Sequence, residues 1–301
     1  MKAPLRMIAN LISAVRSANY RFGNGVYGTN VVMTGPWTSD IAAHMLRRKV
    51  YELELNYIHG FQCDSYSFLE EVPFLVGLRI VGQDAKDFAP VNRLGVLRTI
   101  EIEQTPTPNV DFHQLPLLER VLISWFPKAE RLFDNINLKY LSLYKYPKQL
   151  SSQPFRTLLN LEKLRLADSG LSEVESLSEL TGLRELDLLM LHHLCSLQGI
   201  ESLVQLRKLR IESCRKIASI EPLRDMTQLE ILSISDCGKI PTLEPIRALT
   251  RLRTLHFYGK TEILDGNLQV LRELTNLRDV RFANRGHYSL RREEFPPFDR
   301  D

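Results

Sequence analysis

Long apolar runs are missing from these 301 residues: no 18 consecutive apolar side chains occur, which excludes a membrane-spanning helix of ordinary length. Charge of one sign is also missing, with 39 Lys and Arg against 36 Asp and Glu and a formal net charge of +3. No run of five or more like charges breaks that balance. Neither a polyanionic partner nor an anionic lipid surface is implied without a local cluster. Cysteine is scarce. The four present, Cys63, Cys195, Cys214 and Cys237, show neither a disulfide framework nor a paired CxxC zinc signature. That usage fits a reducing compartment, and a cytoplasmic location is the expectation.

Catalytic signatures are absent too. No Ser/His/Asp nucleophile motif, phosphate loop or HExxH-type metal spacing occurs, so no enzymatic activity, cofactor or metal site is expected. Gly23-Asn-Gly-Val-Tyr-Gly28 spells GxGxxG. A dinucleotide fingerprint needs an apolar strand before it and a helix after it. Here Ser17-Ala-Asn-Tyr-Arg-Phe22 is too polar and Val31-Val-Met33 reads as strand, so the glycines predict a hairpin turn. At the start of the chain, Leu5, Ile8, Leu11, Ile12 and Val15 recur at helical spacing. Asn10 interrupts the apolar stretch and no small-x-small site precedes Tyr20, so an amphipathic helix packed on the domain is expected rather than a cleaved leader.

What the sequence has in abundance is a repeat. Leu206-Arg-Lys-Leu-Arg-Ile211 recurs as Leu229-Glu-Ile-Leu-Ser-Ile234 and Leu252-Arg-Thr-Leu-His-Phe257. Counting weaker copies from Val50 to Leu277, an LxxLxL pattern appears eleven times at intervals of 20 to 25 residues. Its last apolar positions alternate with polar ones, the period of a strand with one buried face. Behind it, apolar residues fall every third position, as in Ile217, Ile220, Leu223 and Met226. That spacing predicts a 3₁₀ or short irregular return, and Pro222 and Pro245 argue against a long α-helix there. No single unit can bury its own apolar face, so the units must stack.

On these motifs the chain resembles the leucine-rich-repeat family over residues 50 to 283, in the short-repeat form of internalins, phosphatase-regulatory repeat proteins and cytosolic bacterial repeat proteins. The resemblance implies an α/β solenoid, a horseshoe with a parallel sheet on its concave face and short helical or irregular segments on its convex side. It also implies a non-catalytic protein-interaction module of regulatory or immunity type. The family favours Asn at the ninth position of each unit, where this chain has Gln83, Thr105, Phe126, Tyr146, Ser169, Leu191, Cys214, Cys237 and Lys260. Without an Asn ladder, loop backbone groups must find other partners, and the repeats between about 105 and 150 should be the least regular. Cys214 and Cys237, one repeat apart, should lie about 5 Å from each other. A buried two-thiol rung is the expectation, with a disulfide as the alternative.

Residues 1–49 are expected to form an N-terminal segment with a capping helix, N-capped by Ser39 or Asp40 and burying Ile41, Met45 and Leu46. Residues 284–301 should form a closing strand or tail. Outward strand positions place Tyr140 and Tyr144 beside Lys163 and Arg165, with Trp125 and Tyr146 in adjoining loops, and group Arg210, Arg253, His256, Tyr258 and Arg281 toward the other end. Tyr, Trp and Arg tend to dominate interface energy. These clusters are the candidate contacts for a protein partner carrying acidic groups. A nucleic acid or other anionic ligand held by the arginines is the rival reading. The column Arg98, Glu119, Lys139, Glu162 and Arg184 alternates in sign and reads as a cross-strand ladder.

Overall fold

A computed structural model describes residues 19–82, 87–104 and 109–296. The N-terminal amphipathic pattern, Gln83, Thr105 and the last five residues of the expected closing tail lie outside the described residues. Those described fall into two compact units. The first runs to Leu122 and takes in Phe126–Asn135, and the second comprises Ile123–Trp125 and the chain from Ile136 onward.

In the first unit the glycine-rich segment makes a hairpin, β1 (Tyr20–Asn24) antiparallel to β2 (Thr29–Met33), with Asn24 opposite Thr29. Strand β2 pairs in parallel with β3 (Glu52–Asn56), β3 with β4 (Gly77–Gly82), and β4 with β5 (Thr99–Gln104). Leu53, Leu78 and Ile100 are register partners, and each is buried. Strand β6 (Arg120–Ser124) holds the division between the units, which falls inside the stretch expected to be least regular.

The second unit continues the pattern with β7 (Tyr140–Tyr144), β8 (Lys163–Ala167), β9 (Glu185–Leu189), β10 (Lys208–Glu212) and β11 (Ile231–Ser235). A two-residue strand, β12 (Lys239–Ile240), precedes β13 (Thr254–Phe257), and another, β14 (Glu262–Ile263), precedes β15 (Asp279–Phe282). Leu186, Leu209, Leu232 and Leu255 are partners on neighbouring parallel strands, all wholly buried. Stacked units therefore hide one another's apolar side, and each leucine contributes about 1.5–3 kcal/mol relative to exposure.

The returns are 3₁₀ turns, as the threefold spacing predicts, except the last before β15, where Val270–Glu273 is a single α-helical turn. Ile217, Leu223, Met226 and Leu229 each donate their amide to the carbonyl three residues back, at 3.0–3.3 Å. One period thus sets both the buried side chain and the backbone bond. Pro222 and Pro245 sit in the first turn of such returns, where a missing N–H leaves nothing unsatisfied.

Between strand and return the backbone bends through the left-handed region at the same place in six consecutive repeats. Lys145, Asp168, Met190, Ser213, Asp236 and Gly259 have φ of 60°, 48°, 56°, 58°, 53° and 68°. The amides of the first five donate to carbonyls one repeat on, those of Ala167, Leu189, Glu212, Ser235 and Tyr258, at 2.7–3.2 Å. The bend thereby extends the ladder past the strand.

Three ninth positions carry out the Asn ladder's work with other chemistry. Cys214 Sγ donates to Leu188 O at 3.4 Å, and Cys237 Sγ to Ile211 O at 3.4 Å, each reaching the previous repeat's strand. Ser169 Oγ donates to Tyr146 O at 3.4 Å. Where the ninth residue is Lys260, Thr261 takes over: its hydroxyl donates to Ile234 O at 2.8 Å and accepts the Cys237 amide at 3.1 Å. Both thiols are free, fully buried and pushed up by that burial, Cys214 to about 11 and Cys237 to about 12.

Helix α1 (Asp40–Arg48) departs from expectation in two ways. Its buried face is Ile41, Ala42 and Met45, whereas Leu46 is 50% exposed. At 100° per residue Ala42 lies nearer the Ile41–Met45 stripe than Leu46 does. Neither Ser39 nor Asp40 caps it by side chain: Ser39 is itself helical in φ and ψ, not extended as a cap requires. The other end closes firmly, with Lys49 left-handed and the Lys49 and Val50 amides bonded to Leu46 O and Met45 O at 3.1 and 2.9 Å. Past β15, Tyr288 and Leu290 are buried and the Tyr288 hydroxyl accepts the Ile263 amide at 2.9 Å.

Candidate functional site

Strand alternation turns one side of each polar pair away from the core, so each unit's sheet carries an open face. On that of the second unit, Tyr140 opposes Lys163, and the Lys163 ammonium lies 5.5 Å from the Tyr140 ring centroid. Lys163 is also tied to Glu185 at 2.7 Å, which Lys208 approaches at 3.7 Å. Tyr144 is 38% exposed, and Asp168 beside it raises the pKa of its phenol. Arg165 is exposed and meets no side-chain partner among the described residues. Tyr146 does not belong to this surface. It is buried, its hydroxyl donates to Ser151 O at 2.9 Å, and burial pushes its pKa up to about 12. Half-buried Trp125 packs edge-on against it at 4.8 Å.

The second predicted group divides. His256 Nε2 lies 3.0 Å from Asp279 Oδ2, and Arg281 grips the same carboxylate through two nitrogens at 3.0 and 2.9 Å. Burial works to raise the Asp279 pKa, but the bonds from Arg281 and His256 outweigh it and hold the carboxyl below its ordinary range. Tyr258, 44% exposed, has its ring 6.4 Å from that of His256. Arg210 is separated from His256 by Ser233 of β11 and contacts Glu212 instead. Arg253 lies before β13; its amide bonds Glu230 O, and its exposed side chain meets no partner among the described residues. A depression of about 360 Å³ lined by Arg184, Val204, Gln205, Arg207 and Gln228 adds a further basic spot. Of the alternating column, Arg98 pairs with Glu119.

The first unit's open face is of a different character. Here the hairpin turn folds over the sheet: the Val26 and Tyr27 amides each donate to a separate oxygen of Glu52, both at 2.7 Å. Gly25 and Gly77 leave the room, since a Cβ at either would stand 2.5 or 2.8 Å from the Glu52 side chain. Tyr27 reaches on to β5, its hydroxyl 3.5 Å from Thr99 Oγ1 and its ring 5.4 Å from the Arg98 guanidinium. Beneath lies a cavity of about 230 Å³ lined by Asn30, Glu52, Glu54, Arg79, Thr99 and Glu101, among others. Arg79 spans Glu54 at 3.3 Å, Glu101 at 3.1 Å and Glu103 at 3.3 Å. Burial raises the Glu101 pKa against the pull of Arg79.

No family model matches the chain, and no curated protein is significantly similar to it. Solved structures are. The internalin inlF of Listeria monocytogenes superposes with a TM-score of 0.55 at 17% identity, over 78% of this chain and 76% of that one. The functional domain of InlJ from the same species, whose structure includes a cysteine ladder, gives 0.52 at 20% identity over 76% and 47%. TLR13 in a TLR13–ssRNA13 complex gives 0.51 at 18% identity over 82% and 38%. The fold is that of a leucine-rich-repeat solenoid.

Within this fold, pattern reading found the strands but not all of the polar centres. Asp279, the hub joining His256 and Arg281, was readable only as one acid in a mixed-sign row. Glu52 and Glu54 lie on β3 and Glu101 on β5, up to 49 positions away, and Glu101 joins the other two only through the parallel register. A signal did exist for the hairpin clasp: Glu52 and Gly77 share a register row, pairing a buried acid with a residue that has no side chain. Among the described residues no helix is long and apolar enough to cross a membrane.

Proposed function

We propose that this chain is a non-catalytic interaction module whose second unit grips a protein partner carrying acidic groups on the open face of its sheet. One observation carries the reading: Arg165 and Arg253 stand exposed and form no ion pair within 4 Å among the described residues, although Asp187 is the register partner of Arg165, on a face that also exposes Tyr144 and Tyr258. A guanidinium already paired gains little from a new carboxylate, whereas a free one offers a planar fork for two bonds. Tyrosine adds apolar area with a polar tip. A regulatory or immunity-type role is the physiological form this reading takes. A reducing, cytoplasmic setting belongs to the same reading.

The test compares immobilised wild type with an Arg165→Ala, Arg253→Ala, Tyr258→Ala variant in extracts of the native cells. His256 and Arg281 are left intact because they hold Asp279. A partner captured by wild type and lost by a variant with unchanged circular dichroism supports the proposal. Equal capture by both removes this face from consideration.

A second reading rests on the same free arginines and on the likeness to TLR13, solved with ssRNA13. If the ligand is a nucleic acid, affinity must fall steeply and linearly on logarithmic axes as salt rises. A shallow salt dependence excludes it.

A further inference from the structure

The cavity under the N-terminal hairpin holds more carboxylate than cation. Glu52, Glu54 and Glu101 line it, with Arg79 the one basic residue among its lining side chains. Glu52 and Glu54 are only 6% and 8% exposed. Two backbone amides serve Glu52, but amides bring partial charge, not a full positive one. Arg79 is shared among Glu54, Glu101 and Glu103, so one guanidinium faces three acids; Glu54 also accepts from the Asn56 side-chain amide at 3.0 Å and lies 3.7 Å from the His59 imidazole. Carboxylates withdrawn from water require compensation.

A second observation is independent of the acids. Asn30, 6% exposed, lines the same cavity, and its Oδ1 has no hydrogen-bond partner. Roughly 90% or more of buried polar groups are paired, so this oxygen is an acceptor awaiting a donor. Glycine at position 23 leaves the space around it, since a Cβ there would stand 2.6 Å from that oxygen. A donor that also carries positive charge would satisfy both deficits at once.

Size and geometry narrow the class. At about 230 Å³ the cavity is smaller than the roughly 300–1,000 Å³ of sites for drug-sized ligands, and suits a single side chain or a small amine. Among the described residues no group of three or more His, Cys, Asp or Glu could hold a metal ion, so the acceptors are spread too widely for one compact ion. N–H donors on a planar or tetrahedral organic head reach such spread acceptors.

We propose that this cavity binds an organic cation by its N–H donors, a guanidinium or alkylammonium head, with Glu54 and Glu101 supplying charge and Asn30 a neutral acceptor. The site belongs to the first unit and stands independently of the partner-binding reading above. Such a head occurs on free small amines and on arginine or lysine side chains of polypeptides.

The full-length protein, labelled with ¹⁵N, is titrated with methylguanidinium, with its neutral isostere N-methylurea, and with blocked Gly-Arg-Gly and Gly-Gln-Gly peptides. Saturable shifts are expected with methylguanidinium at the amides of Gly25, Val26, Tyr27, Gly77 and Thr99, and none with N-methylurea. Glu101→Gln, which keeps size and removes one charge, should weaken methylguanidinium by about tenfold or more. Binding of Gly-Arg-Gly as well assigns a polypeptide source, and binding of the free cation alone assigns a small molecule. Equal response to N-methylurea, shifts that never saturate, or unaltered affinity in a folded Glu101→Gln variant would overturn the proposal. The comparison of the two small ligands uses unaltered protein, so it stands even if the variant fails to fold.

Discussion

The bend that follows β7, β8, β9, β10, β11 and β13 makes the same demand on six residues, and only Gly259 meets it without a Cβ. Met190 is the residue on which to test the demand, because its φ is 56° and its side chain is 40% exposed. A left-handed conformation disfavours a non-glycine residue by about 1–2 kcal/mol. Glycine offsets about 0.5–1 kcal/mol of any gain through its greater freedom in the unfolded chain. Little packing is lost at an exposed position, so Met190→Gly should stabilise the protein by about 0.5–1 kcal/mol. The amide stays available, and its 2.7 Å bond to Glu212 O should persist. Gly259→Ala is the reciprocal change. It places a Cβ at φ 68° and 2.4 Å from Asp236 Oδ1, which already accepts the Lys260 amide at 3.0 Å. A loss of at least about 1–2 kcal/mol is expected. Urea midpoints followed by far-ultraviolet circular dichroism measure both, with wild type alongside. A lower midpoint for Met190→Gly, or an unchanged one for Gly259→Ala, would refute the argument that the bend stores conformational strain.

Three other outcomes follow from buried polar groups. Iodoacetamide at pH 8 should alkylate exposed Cys195 and leave buried Cys214 and Cys237 intact until urea unfolds the chain, as mass spectrometry would record. Because folding raises those two thiols from 9.0 to about 11 and about 12, their contribution is intact below pH 9 and is lost as pH climbs through the folded values. Thermal midpoints should therefore fall between pH 9 and 12, and fall less in a Cys214→Ala, Cys237→Ala variant; an identical fall would assign the alkaline loss elsewhere. Glu52→Ala removes the acceptor for the Val26 and Tyr27 amides, and hydrogen exchange there should quicken by about tenfold or more. Unchanged protection would mean that the turn is held by its own Gly25–Gly28 bond.

Much of the fold was legible because its cause is periodic. The alternation at Leu209 and Ile211 and the threefold spacing from Ile217 to Met226 each identify one backbone state, and the structure has both. The hairpin at Gly23–Gly28 was legible from glycine chemistry and from the strand-like Val31-Val-Met33 that follows. What escaped is conformation imposed from outside the residue. Met190 and Ser213 have no intrinsic taste for the left-handed region; bonds to the next repeat hold them there. Tyr146 groups with the surface aromatics in sequence because it falls in a loop adjoining Tyr140 and Tyr144, yet its ring fills the core and only its hydroxyl is polar. Arg210 and His256 looked adjacent in pattern, but strand β11 intervenes and each found a nearer acid. The acidic cavity was hidden for a related reason, since no sequence window contains both Glu52 and Glu101.

The clasp between the hairpin and Glu52 bears on how this chain could be shortened. A fragment starting at the first repeat boundary would keep that carboxylate near the centre of an edge while discarding both amides that answer it. The severed end would then carry an unanswered negative charge on a surface already short of cations, and would be driven to open, to take up a proton or to recruit a foreign donor. Anyone trimming the molecule to its repeats would do well to change residue 52 in the same step.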